Sequence, residues 1–217
     1  MADAFVLYST NGNILRTNVR STCATRGRVL TMISRRNFIA ATAAGLAAPS
    51  VAMAQGFKIN PIYRPQNVQI KSDVQPGQIL ILPRAHFIYH VTAPGVARRY
   101  GVGVGRAGLE FTGTAEIAVK KEWPTWRPTN EMIEREPHLY EKFIDNDYVE
   151  PGGPGNPLGA RALYLFQNGR DTYFRIHGTT APRTIGQSVS NGCIRMLNEH
   201  VEDLYARVPI GTVVTVL

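Results

Sequence analysis

Apolar positions between residues 78 and 217 recur mostly with a period of two or in short unbroken runs, the spacing of strands rather than helices. Ile79-Leu80-Ile81-Leu82 is a continuous run short enough for a buried strand. His86–Val91 predicts a second strand, closed by the Pro94-Gly95 turn signal. Arg98–Val104 alternates partly, and its glycines suit a strand with close backbone neighbours. Thr114–Lys121 predicts another. Ala162–Phe166 and Thr172–Ile176 flank Asn168-Gly169, a dipeptide that accepts the positive φ of a tight hairpin turn. The β-branched segment Thr212–Leu217 is a final strand.

Between these strands the pattern weakens. Pro124 and Pro128 exclude a central strand from residues 123–137. Asn130 can cap a short helix from Glu131, and Pro137 should end or kink it. Residues 150–159, rich in Gly and Pro, predict a loop. Glu199–Val208 predicts a short helix with Asn198 as its N-cap. Residues 55–77 are polar with three prolines and predict a lead-in or linker. No repeat or heptad is present. Many short strands with only short helices predict a mainly β fold, a β-sandwich or barrel.

Charge changes this picture less than it first suggests. The 217 residues carry 24 Lys+Arg against 16 Asp+Glu, a net +8 that invites an anionic partner. Residues 1–54, however, hold six Arg and one Asp, or +5, which leaves +3 for the rest. Within them, Ser34-Arg35-Arg36-Asn37-Phe38-Ile39 precedes an uncharged stretch ending Ala52-Met53-Ala54. Basic start, apolar middle and small-residue end predict a secretory signal peptide over residues 32–54, and the Arg pair resembles the twin-arginine type. The stretch is short for a membrane span and holds Gly45 and Pro49. Residues 1–31 fit neither leader nor domain, so Met32 is the expected start and 1–31 an extension. Nucleic-acid binding loses its support once the leader is set aside, and the expected location is the periplasm or cell envelope.

Of the chain's two cysteines, Cys23 precedes the expected cleavage site, and a single thiol, Cys193, remains in an oxidising compartment. Taken singly, Cys193 reads equally as a buried core residue, and His177 more readily as a structural histidine. Together they suggest chemistry. A cysteine nucleophile needs a base or an electropositive setting. His177 ends a predicted strand and meets Gly178, and a loop-length spacer leads to Ser190-Asn191-Gly192-Cys193-Ile194-Arg195. The amides of Gly192 and Cys193 can serve as an oxyanion hole. Arg195 shares a face with Cys193 if the chain there is extended. The histidines at 86, 90, 138, 177 and 200 form no metal-ligand pattern, and His86 and His90 would merely share a strand face. Gly101-Val102-Gly103-Val104-Gly105 opens no helix and is no nucleotide loop. Trp123 and Trp126 read as packing residues, with groove lining the alternative.

His177-Gly178-Thr179, the spacer, and Ser190-Asn191-Gly192-Cys193-Ile194-Arg195 resemble the signature of the L,D-transpeptidase family with its YkuD-like catalytic domain. Arg99–Gly105, Trp123–Pro128 and Asn156–Leu165 are similar as well, so the resemblance runs from about residue 78 to 217. It implies a catalytic domain over 78–217 with Cys193 as nucleophile and His177 as general base. It also implies the Gly178 carbonyl as orienting group, and Ser190, Asn191, Gly192 and Arg195 around the oxyanion and substrate. The implied substrates are peptidoglycan stem peptides as donor and acceptor, with no cofactor and no metal. Many members carry His where Asn191 stands; Asn cannot titrate near neutrality, so a role in shaping the loop is the expectation. A carboxypeptidase or hydrolase on the same scaffold and a catalytically idle wall-binding module remain the alternatives.

Overall fold

The computed structural model describes residues 57–217; the expected extension, leader and cleavage site lie outside the described residues. The mainly β expectation holds. Among the described residues, eleven strands and two short α-helices alternate with 3-10 turns, and nine of the strands form one mixed sheet. Among the described residues, no helix is long and apolar enough to cross a membrane.

The middle of the sheet comes from the apolar runs. β2 (Ile79–Leu82) pairs antiparallel with β3 (Phe87–Ala93) and parallel with β11 (Val213–Val216). β3 continues into β4 (Val96–Gly101), and β11 into β6 (Gly113–Glu122), both antiparallel. β6 pairs with β7 (Arg161–Gln167), which forms a hairpin with β8 (Arg170–His177). Asn168 and Gly169 make that turn at φ of 53° and 73°, the doubly positive conformation that Asn-Gly favours.

Alternation decides the faces. Ile79 and Ile81 enter the main core with Ile88, Ile117, Leu163, Leu165 and Ile176. Helix α2 (Asn198–Arg207) covers that core through Val201 and Leu204. Leu80, Phe87, Tyr89 and Ala97 point the other way, into a second cluster. A strand that is apolar on both faces needs cover on both. Here the second cover is the segment expected to be a linker. Tyr63, Val68, Ile70 and Val74 pack on that face, and β1 (Gln66–Gln69) adds an edge strand to β4. Its prolines sit at turns and its polar residues on the exposed side of an edge, which disguised it.

Four further details depart from expectation. Strand 98–104 is broken: β4 ends at Gly101, and β5 (Val104–Gly105) pairs parallel with β9 (Ser188–Ser190). His86 precedes β3 in a left-handed conformation, φ 59°, and its Nε2 meets the Ser188 hydroxyl at 3.0 Å, so it shares no strand face with His90. Helix α1 (Asn130–Arg135) is capped by the Thr129 hydroxyl, not Asn130, and Pro137 starts a separate 3-10 turn. Helix α2 starts after Leu197 with no side-chain cap, because the Asn198 side chain is engaged elsewhere.

Candidate active site

Two parallel strands assemble the site. β10 (Ile194–Arg195) lies beside β8 in a register that sets Ile194 against Ile176 and Arg195 against His177. Paired residues share a face and alternate ones return to it, so Arg175, His177, Cys193 and Arg195 all address one side. All four line a cleft of about 1210 Å³. Its other wall is the long β6–β7 connection, including Trp126, Tyr140 and Phe143.

His177 is buried, and its Nδ1 bonds to the Gly178 carbonyl at 2.5 Å. A carbonyl only accepts, so Nδ1 carries the hydrogen and Nε2 keeps the lone pair. Burial lowers the imidazole, and the charges of Arg195 and Arg175 add to that; backbone hydrogen bonds with Gly178 and Leu158 oppose it, leaving a pKa of about 4. The ring is therefore neutral and able to take a proton at neutral pH.

Cys193 is half-buried, and its thiol points at the Tyr173 carbonyl, 3.9 Å away. Burial pushes the thiol up, against the Arg175 amide and the charges of Arg175 and Arg195. Thiol and imidazole are thus both held neutral near pH 7, and both line the same cleft.

Among the described residues, the Arg195 guanidinium has no ion pair or side-chain hydrogen bond, while burial lowers its pKa. An unpaired, partly desolvated guanidinium in a cleft is a ready carboxylate receptor. Arg175, two residue pairs away, is spent: Asp171 holds it with two bonds of 2.7 Å, over the Tyr164 ring.

The loop that carries Cys193 is held from inside. Ser190 Oγ accepts the Gly192 amide at 3.2 Å and donates to the Cys193 carbonyl at 2.6 Å. The Gly192 amide is therefore used within the loop, which corrects its expected place as half of the oxyanion pair. Gly192 has φ 116°, and a Cβ there would meet Phe174 at 2.6 Å and the Leu109 carbonyl at 2.7 Å, so only glycine fits. Asn191 uses both ends of its amide. Its Oδ1 accepts from Arg106 at 2.7 Å, and its Nδ2 donates to the Tyr140 hydroxyl at 3.0 Å and to Glu136 at 3.5 Å. Arg106 and Glu136 close the ring with an ion pair of 2.9 Å. These contacts tie Asn191 to the β6–β7 connection and to Arg106.

Several contributors escaped the sequence. Arg106, Glu136 and Tyr140 are ordinary surface residues in one dimension. A bulge in β8 left a faint signal. Asp171 and Thr172 bond the Tyr173 and Phe174 amides, at 2.8 and 3.2 Å, and throw exposed Tyr173 outward at φ 61°. Trp123 is exposed rather than packed, while Trp126 both stacks on Tyr140 and Phe143 and lines the cleft. Among the described residues, no group of three metal-ligating side chains converges.

Comparison with known proteins agrees with this geometry. Residues 76–216 match the family model of the YkuD L,D-transpeptidase catalytic domain. The probable L,D-transpeptidase YbiS of Escherichia coli is 33% identical over 152 residues, 68% of this chain and 46% of that protein. The probable L,D-transpeptidase ErfK/SrfK of the same species is 32% identical over 159 residues, 70% of this chain and 47% of its own. The chain thus spans about half the length of these relatives. A crystal structure from Brucella melitensis, of a protein named a probable carnitine operon oxidoreductase, is 56% identical with a TM-score of 0.50, covering 71% of this chain and 93% of that one. That name belongs to that protein. A catalytic-domain match over residues 76–216, together with relatives 33% and 32% identical, makes the chain a member of the L,D-transpeptidase family.

Proposed function

We propose that the protein is an exported peptidoglycan L,D-transpeptidase acting through Cys193. The carrying observation is the β8–β10 register, which puts His177, Cys193 and the unpaired Arg195 on one face of one cleft. Arg195 receives the terminal carboxylate of a tetrapeptide stem. Cys193 Sγ attacks the carbonyl between the third residue and the terminal D-Ala, and His177 Nε2 takes the thiol proton. The oxyanion forms beside the Cys193 amide. The C–N bond then breaks, the proton passes from His177 to the leaving amine, and D-Ala departs, leaving a thioester on Cys193. An acceptor amine attacks the thioester, gives its proton to His177, and the proton returns to sulfur as the 3→3 cross-link is released. Water in place of the amine yields a trimmed tripeptide. Location in the envelope rests on the leader pattern around Arg35-Arg36.

Purified protein incubated with tetrapeptide stems should gain the mass of a tripeptide acyl group on Cys193, and the products should contain cross-linked dimers. Cys193→Ala should remove the adduct, and His177→Ala should slow its formation at least ~10²-fold, the scale of a general base. A folded wild-type protein that never acquires the adduct contradicts the proposal. Tripeptide without dimers would assign the chain to hydrolysis.

A further inference from the structure

Asn198 stands at the head of α2, where sequence reads it as a helix cap, yet its side chain turns away from the helix. Its Oδ1 accepts two backbone amides from two different segments, Ala160 and Thr179, each at 3.1 Å. It reaches them through a gap made by two glycines. A Cβ on Gly178 would lie 2.1 Å from this oxygen, and one on Gly159 2.2 Å. Gly159 also has φ +65°.

The Thr179 N–H belongs to the same peptide unit as the Gly178 C=O. That unit is planar and trans, so the two groups point in opposite directions. With the N–H aimed at Asn198, the carbonyl faces the other way, where it receives His177 Nδ1 at 2.5 Å. Glycine at 178 makes this peptide easy to flip, because no Cβ resists the alternative φ and ψ. The Ala160 amide ties the neighbouring segment that leads into β7 to the same oxygen. One side-chain oxygen therefore anchors both the peptide that holds the ring and the backbone beside it.

We propose that Asn198 is a positioning residue for the reaction: by fixing the Gly178–Thr179 peptide, it keeps His177 in the tautomer whose Nε2 lone pair takes the thiol proton. This rests on the reading of His177 as the base. Asn198 acts through the Gly178 carbonyl and touches neither the substrate nor the sulfur. A residue that merely tied α2 to the sheet would change stability when replaced, and would leave the tautomer alone.

The test combines nitrogen NMR of the His177 ring with the rate of acyl-adduct formation from a tetrapeptide, in wild type, Asn198→Ala and Asn198→Asp. Wild type should show Nδ1 protonated. Asn198→Ala should show a mixture of tautomers and a kcat about 10-fold or more lower, a part of what a general base supplies, with KM little changed. Asn198→Asp keeps an acceptor oxygen and should retain the wild-type tautomer and most of the rate. An unchanged tautomer in folded Asn198→Ala overturns the proposal, as does its loss in folded Asn198→Asp. If Asn198→Ala does not fold, the aspartate variant and the protection of the Thr179 amide from hydrogen exchange in wild type decide it; a freely exchanging Thr179 amide overturns it. If wild type forms no adduct, the enzymatic reading fails, while the tautomer measurements still decide what Asn198 does.

Discussion

At the scale of single residues, the site separates charges that are used up from charges that are available. Arg175 and Arg195 lie on one face two residue pairs of chain apart, yet Asp171 satisfies Arg175 through two bonds of 2.7 Å and nothing satisfies Arg195. Only the second can meet a substrate carboxylate without first losing a partner. Arg195→Ala should lower kcat/KM for the tetrapeptide by about 10–100-fold, the worth of a charged hydrogen bond, mostly through KM. Alkylation of Cys193 by iodoacetamide should stay within a few-fold of wild type. A variant with unchanged KM would place the carboxylate elsewhere. The residue scale also shows what sequence conveys about a site. Cys193, His177 and Gly178 stand in a recognisable order. Asn198 has the same composition and place as a helix cap, and only its partners reveal another task.

Among elements, the working part is a contact between two connections and the sheet. The Cys193 loop is tied inward by Ser190 and outward by Asn191 to Arg106, Glu136 and Tyr140. It thereby couples to the β6–β7 connection that forms the far wall of the cleft. The other element of note is the segment before β2. Tyr63 packs its ring 5.7 Å from Phe87 and occupies space over Gly101 and Gly186 that a Cβ would fill, 2.3 Å from the ring's Cβ in one case and 2.4 Å from its hydroxyl in the other. Tyr63→Ala should cost about 2–3 kcal/mol in denaturant unfolding, the lower range for removing a large aromatic that is only half-buried. A loss below about 0.5 kcal/mol, as at a plain surface site, would mark the segment as the linker its sequence suggested.

Taken whole, the molecule hides histidines it does not protonate. Burial lowers His86, His90 and His200 below the ordinary imidazole value, and His177 falls to about 4. Between the ordinary value of about 6.5 and those lower folded values, the unfolded chain binds protons that the folded chain refuses. Stability is therefore full above that window and falls as pH drops through it. Asp203 adds a second step further down. Burial opposes its ionisation, but hydrogen bonds from Arg207, Arg98 and Tyr100 hold its pKa at about 2. The stabilisation from its charge is present above the usual carboxylate range and disappears as pH falls toward 2. Thermal melts should thus be flat near neutrality, decline from pH of about 6.5 to about 4, and decline again below. A melting temperature constant between neutrality and pH of about 4 would contradict the burial of these imidazoles.

By itself the sequence determined the local items. Period-two alternation and short apolar runs specified most strands, because side chains on a strand alternate between faces whatever the strand packs against. Asn168-Gly169 specified a turn through its own tolerance of positive φ. The order His-Gly-Thr and Ser-Asn-Gly-Cys-Ile-Arg indicated the family. What tertiary structure alone decided were the choices between equivalent local options. Tyr63, Val68, Ile70 and Val74 came to cover the sheet, with Gln66–Gln69 as its edge strand, because Leu80, Phe87 and Tyr89 needed cover on their outer face. The Asn198 side chain turned from its helix because two glycines opened a path to the Thr179 and Ala160 amides. Arg195 rather than Arg175 stayed free because Asp171 lay within reach of only one. Each of these turns on which residues distant in the chain arrive beside one another, and that information resides in the packing rather than in any local stretch of sequence.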